Sequence, residues 1–214
     1  MLILPAIDLY DKKAVRLYKG DYEQMTVYSN NPLEIARDFE KKGATFVHLV
    51  DLEGAKKGAP ANLETIKKYL DLGVTRVILG TAAVTDSEFL ERVTAKYKSS
   101  VAVGVDLKDG YVAIRGWTEK SQKTADEFFS YLSSIGVKTV ICTDISKDGA
   151  MEGTNRALYR ELSERYSMDI VASGGVSSLE DIAALREMNL YGAILGKAYY
   201  VGAVDLQKAI EVAK

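Results

Sequence analysis

Cysteine, histidine and proline are almost missing from this chain. One cysteine, Cys142, in 214 residues excludes a disulfide framework and makes a reducing cytoplasm the expected compartment. A single histidine, His48, with no cysteine cluster near it, offers no metal-ligand spacing, so no metal is expected. Three prolines and no serine-rich stretch leave nothing that reads as a linker between domains. An excess of one charge is lacking as well: 28 Lys and Arg stand against 30 Asp and Glu, so there is no basic footprint for nucleic acid. No apolar run reaches the roughly 18 residues of a membrane span. The opening MLILPAIDLYDKK carries an Asp inside its apolar stretch and has no basic lead, unlike a secretory signal.

What is present is an alternation. Short apolar, β-branched runs occur at Leu2–Asp8, Phe46–Asp51, Arg76–Gly80, Val101–Asp106, Thr139–Thr143, Asp169–Ala172 and Ala193–Gly196. Runs apolar on both faces suit parallel strands covered by helices. Amphipathic stretches lie between them with their own start signals. Pro32 opens one, Asn62 caps Leu63–Leu72, and Thr124 or Ala125 starts another. Gly43, Gly73 and Gly136 follow helical stretches, where a left-handed stop belongs. Strand–helix alternation throughout predicts one α/β domain over 1–214. A closed eight-unit barrel usually takes about 250 residues, so this chain is short for one.

The sequence also repeats itself. ILPAIDLYDKKAVRL resembles VAVGVDLKDGYVAIR, TFVHLVDLEGAKKGAPAN resembles TVICTDISKDGAMEGTN, and RVILGTAAV resembles GAILGKAYY, in the same order. Two related halves, about 1–98 and 99–214, would each supply consecutive βα units of one ring. The halves are unequal. Asp51 to Gly80 is 29 positions and Asp144 to Gly196 is 52. The difference of 23 matches one helix-plus-strand unit, so we expect a (βα) barrel with seven strands, the third position of an eightfold ring being absent.

In such a barrel the carboxyl ends of the strands form the active face. Here they bring Asp8, Asp51, Asp106, Thr143 with Asp148 shortly after, Gly174–Gly175 and Gly196–Lys197. Asp8 and Asp106 hold equivalent places in the two halves. Two carboxylates facing one cavity suit acid–base work, because burial and repulsion separate their pKa values. An Asp there also serves as an ordinary cap, but the same placement in both halves favours chemistry. SGGV at 173–176 and LGKA at 195–198 read as phosphate grips, since glycines let backbone N–H groups approach an anion. Gly80–Thr81 is the first-half counterpart of the second grip. His48 is expected to be packed rather than catalytic, and Cys142 inert inside a strand. Tyr199 and Tyr200 should pack, and Glu40–Lys42 and Lys56–Lys57 should be solvated charge.

LPAIDLYDKKAVRLYKGDY, HLVDLEGAKKG, VILGTAAV, GVDLKDGYVAIRGW, TDISKDGAMEGTN, ASGGVSS and AILGKA together resemble the ProFAR isomerase family of histidine biosynthesis over nearly the whole chain. The resemblance implies a twofold-repeated barrel that converts an aminoaldose into an aminoketose by an Amadori rearrangement, without a cofactor. It implies a substrate with two ribose phosphates, one held by each half. It makes Asp8 the base at the sugar C2′ and Asp106 or Asp148 the acid that helps open the ribose, with Thr143 nearby. Trp117 resembles an aromatic of a mobile loop that stacks on the substrate, and Arg16 lies in the first such loop. The family's Gly-Gly-Gly-Ile-Arg-like turn after its third strand has no counterpart here.

Three other readings stand beside this one. The cyclase of the same pathway shares the half-barrel repeat but fits AIDLYDKKAVRLYKG and the Gly116–Trp117 pair less well. Some isomerases of this type also accept phosphoribosylanthranilate of the tryptophan pathway. A catalytically weak, shortened barrel that retains one phosphate site is the alternative from a different class. Open barrel edges would favour a homo-oligomer.

Overall fold

The apolar runs become one row of parallel strands. In the computed structural model, which describes residues 1–57 and 76–214, β1 (Leu2–Tyr10) lies between β4 (His48–Asp51) and β11 (Gly192–Leu195). The row continues through β10 (Asp169–Ser173), β9 (Thr139–Asp144), β6 (Val101–Lys108) and β5 (Val77–Leu79), each neighbour parallel to the last. Two antiparallel hairpins complete a mixed sheet. β2 (Lys13–Tyr18) and β3 (Asp21–Ser29) follow β1; β7 (Tyr111–Ile114) and β8 (Glu119–Thr124) follow β6.

The sequence reading of seven strands omitted these four. Their signals were in the chain: Asp11–Lys12, Lys19–Gly20 and Asp109–Gly110 all take positive φ, the backbone of tight hairpin turns that favour Gly and Asp. The repeated motifs at 3–17 and 101–115 are therefore strand–turn–strand units as well as barrel strands.

Side-chain alternation gives the sheet two faces, and two cores separate accordingly. Outward residues such as Ile7, Leu9, Val103, Val105, Val140, Cys142, Ile170 and Leu195 pack under the helices. Inward residues Ala6, Ala102, Ile141, Val171 and Ile194, one from each of five parallel strands, pack against one another. Contact among residues of one face requires the sheet to curl around them, which is how a βα barrel fills its interior.

Helices begin where local chemistry can end their free N–H groups. Pro32 opens α1 (Pro32–Lys41), and a short helix, α2 (Leu52–Lys57), follows β4. α3 (Thr81–Thr85) and α4 (Ser87–Tyr97) follow β5. Thr124 caps α5 (Ala125–Ser134) in a reciprocal box with Glu127. Asn155 and Ser178 cap α6 (Arg156–Arg165) and α7 (Leu179–Glu187). α8 (Lys197–Tyr200) and α9 (Leu206–Val212) end the chain. Gly43 and Gly136 adopt the expected left-handed stops at φ 91° and 79°. The Asn62–Leu72 helix and its Gly73 stop lie outside the described residues.

One side of the row differs from the rest. Among the described residues, β4 pairs only with β1, and β5 only with β6. Val77 and Ile78 of β5 are 58% and 38% exposed. Ile78 is in register with Ala102 and so faces inward. Among the described residues no helix is long and apolar enough to cross a membrane.

Candidate active site

Asp8 ends the inward row of β1, and the turn at Asp11–Lys12 folds β2 straight back beside it, pairing Asp8 with Val15. That return delivers Arg16. Its Nη1 lies 2.9 Å from Asp8 Oδ2, and its Nη2 lies 3.8 Å from Asp148 Oδ1. Both Asp8 and Arg16 are buried, at 8% and 7% exposure. Burial raises the Asp8 pKa to about 6, although the Arg16 charge opposes this; the neighbouring Asp148 adds to the rise. Burial likewise raises Asp148 against the pull of Arg16 and Lys197. Among the described residues, Arg16 Nε is buried without a hydrogen-bond partner, so one donor of the guanidinium fork is unused.

Asp106 stands in register with Thr143 of β9, which is in register with Ser173 of β10. These three form one layer at the carboxyl ends of adjacent strands. Trp117, in the turn between β7 and β8, donates from Nε1 to Asp106 Oδ2 at 2.7 Å. Burial raises the Asp106 pKa, and hydrogen bonds from Trp117 and Thr143 partly restore the charged form. The neighbouring Asp148 charge adds to that rise, whereas the Arg16 charge opposes the rises at Asp8 and Asp148.

The glycine turns meet Arg16 and Asp148 at a small recess lined also by Gly149, Met151 and Lys197. Gly174 and Gly175 have φ of 90° and 79°. A methyl at Gly174 would sit 2.5 Å from Asp144 O, and one at Gly175 would overlap Gly153 O and lie 2.9 Å from Lys147 Cβ. At Gly196 a methyl would overlap Arg16 Nη2 and lie 2.8 Å from its Cζ. Lys197 Nζ donates to Gly149 O at 2.8 Å. The first-half counterpart is arranged differently. Gly80 precedes α3, and Thr81 Oγ1 accepts from the Arg115 backbone N–H at 2.8 Å. The second hairpin thus rests on it.

Asp8, Arg16, Asp148, Gly174, Gly175, Gly196 and Lys197 form one cluster; Asp106, Thr143 and Trp117 form a second; Gly80 and Thr81 stand apart under Arg115. Sequence reasoning placed His48 as a packed residue. It is half-buried on the inward face, in register with Ala6, and burial with the Arg16 charge pushes its pKa down to about 4. Gly149 was missed, although its φ of 66° and its place beside Leu17 O let the Asp148 loop touch the first hairpin. So was Asp144, which accepts from Ser146 Oγ at 2.6 Å and from Asn155 Nδ2 at 2.6 Å and braces that loop. Cys142 is buried and its thiol is pushed up, as expected of an inert position. Tyr199 and Tyr200 pack edge to face. Lys42 is more than solvated charge: it bonds Asp38 Oδ2 at 2.7 Å and Tyr199 Oη at 3.0 Å.

The model of the histidine biosynthesis protein family matches two overlapping stretches, residues 2–69 and 61–205. An isomerase of Lactococcus lactis subsp. cremoris (strain SK11), named for 1-(5-phosphoribosyl)-5-((5-phosphoribosylamino)methylideneamino)imidazole-4-carboxamide, is 47% identical, covering 97% of this chain and 95% of its own. The enzyme of the same name from Oceanobacillus iheyensis is 45% identical, over 99% and 98%. That from Brachyspira hyodysenteriae is 44% identical over 237 aligned positions, with 100% of both chains covered.

Proposed function

The chain belongs to the histidine biosynthesis protein family, and we propose that it is the isomerase that turns ProFAR into its ketose isomer. The observation that carries this reading is the convergence of Asp8, Arg16 and Asp148, within 3.8 Å contacts, on a recess walled by Gly174–Gly175 and Gly196–Lys197. An aldose–ketose rearrangement needs a base, an acid and an anion seat, and no redox partner. Asp8, with a pKa of about 6, is a carboxylate at neutral pH yet basic enough to take the C2′ proton. The proton is then delivered to C1′. The acid that protonates the ribose ring oxygen is Asp106 or Asp148. The charges favour Asp106: the neighbouring Asp148 helps it keep its proton, whereas Arg16 and Lys197 draw Asp148 toward giving its own up. Arg16 holds Asp8 in place and, with Lys197, lines the recess that would receive one substrate phosphate.

The barrel on this reading consists of two half-barrels, 1–98 and 99–214, with one βα unit short in the first. Three observations support the shortening. The internal spans differ by 23 residues. The alignment with the Brachyspira enzyme runs to 237 positions against 214 residues here, a difference that is also 23. Residues 61–69 fit the family model twice. The missing turn would have completed the first-half phosphate site, so one phosphate is held well and the other poorly. Remote binding energy lost in this way raises KM. The substrate is a small phosphoribosyl compound, the compartment is the cytoplasm, and β4 and β5, each with one strand partner among the described residues, favour association between copies.

Complementation tests the function. A bacterium lacking its own ProFAR isomerase, given this chain, is expected to grow without histidine, slowly if KM is poor. No growth despite folded, abundant protein would favour the weak or inactive shortened barrel that keeps only a phosphate site.

A further inference from the structure

We propose that Gly20, at the turn of the first hairpin, is the seat of the Trp117 indole and so positions the hydrogen bond to Asp106. The hairpins come from different halves of the chain and meet at this point. A methyl on Gly20 would overlap Trp117 Cε3 and lie 2.6 Å from Cζ3 and 3.2 Å from Cδ2. The six-membered ring of the indole therefore lies flush on backbone that only a missing side chain leaves open. The five-membered ring beside it carries Nε1, 2.7 Å from Asp106 Oδ2.

The seat is itself held. Lys19 N donates to Asp148 O at 3.1 Å, and Gly149 packs under Leu17 O and Tyr18. Tyr22 Oη, on the other arm of the turn, donates to Leu52 O at 3.0 Å. A continuous path of contacts thus runs from the Asp148 loop through Lys19–Gly20 to Trp117 and Asp106. Both candidate acids are placed by the same turn. Trp117 stands at φ 70°, a conformation that a bulky residue holds only when its surroundings enforce it. Gly20 touches no reacting atom on this account; it acts through Trp117. Its effect on turnover rests on the isomerase reading above, whereas the seat itself does not.

Trp117 is the only tryptophan, so its fluorescence reports the seat without interference. The test compares Gly20→Asn with Gly110→Asn. Asn tolerates left-handed backbone, and the two glycines have nearly the same φ, 76° and 79°. A side chain at Gly110 meets nothing within 4 Å. Gly20→Asn is expected to shift Trp117 emission to the red and raise its quenching by acrylamide, while Gly110→Asn matches the parent. In turnover, Gly20→Asn should lower kcat roughly tenfold, the worth of one ordinary hydrogen bond, with a smaller change in KM. Trp117→Phe should lower kcat similarly, and the double variant should add little to either. Should Gly20→Asn unfold early, adding Trp117→Ala is expected to restore its stability by removing the clashing ring. Unchanged emission, fully additive losses, or no restoration would each overturn the proposal. A parent protein without turnover would count against the isomerase reading instead, and the emission comparison would still decide the seat.

Discussion

Arg16 holds two carboxylates at once, and of these three groups the two carboxylates were legible as chemistry in the sequence while the arginine was not. Asp8 and Asp148 could be found because strand ends in an α/β pattern project into one mouth. Arg16 could be placed only in a loop, since its partner depends on a hairpin that folds it back onto Asp8 at 2.9 Å. At this scale two outcomes are expected. Asp8→Asn should cut kcat by roughly 10²–10⁴-fold, the usual worth of a general base, with the fold unchanged by circular dichroism. In the parent, kcat/KM should fall as pH drops through about 6, where Asp8 protonates; a profile flat from pH 7 to 5 would remove Asp8 from the base role. His48 gives a stability effect of opposite origin. Its folded pKa of about 4 lies below the ordinary 6.5, so the unfolded chain binds a proton first as pH falls. Stability from this group is therefore present above pH 6.5 and lost toward pH 4. The difference amounts to about 3 kcal/mol at full burial and about 2 after screening of a half-buried ring. His48→Gln should remove that part of the acid slope in urea denaturation at pH 7 and pH 4.5; equal slopes for parent and variant would contradict it.

Elements were legible where period and punctuation agreed. β1, β6, β9, β10 and β11 carry continuous apolar runs, and Pro32, Thr124 and Gly136 mark helix ends by mechanisms that act locally. The hairpins escaped because β8 is polar and β3 mixes polar and apolar residues, and neither strand has a buried position; their order comes from pairing with β2 and β7 and from turn glycines. The same dependence on glycine governs the recess. Gly175→Ala would set a methyl against Gly153 O at φ 79°, and strain of this kind costs about 1–3 kcal/mol. It should lower Tm and abolish phosphate binding together. Calorimetric titration of the parent with inorganic phosphate is expected to show one seat, at the Gly174–Gly175 and Gly196–Lys197 recess, and much weaker binding at Thr81, whose hydroxyl already accepts from Arg115. Two seats of equal affinity would contradict the proposal that the first half is one βα unit short.

For the whole molecule, the 23-residue inequality between halves was readable without coordinates, because internal repeats carry their own ruler. How the row of strands ends was not readable, since closure depends on strand number, tilt and shear acting together. The structure leaves β4 and β5 each with one strand partner among the described residues, and inward-facing Ile78 is exposed. Unpaired strand edges bearing apolar groups attract other chains. Sedimentation velocity over a concentration series is therefore expected to show reversible association, and a strictly monomeric protein at all concentrations would point to a closed ring. The isomerase reading itself is tested most directly by following conversion of purified ProFAR to its ketose isomer, with the parent beside Asp8→Asn. The account predicts saturable turnover with a high KM in the parent and almost none in the variant; no turnover by the folded parent, or equal turnover by both, would contradict it.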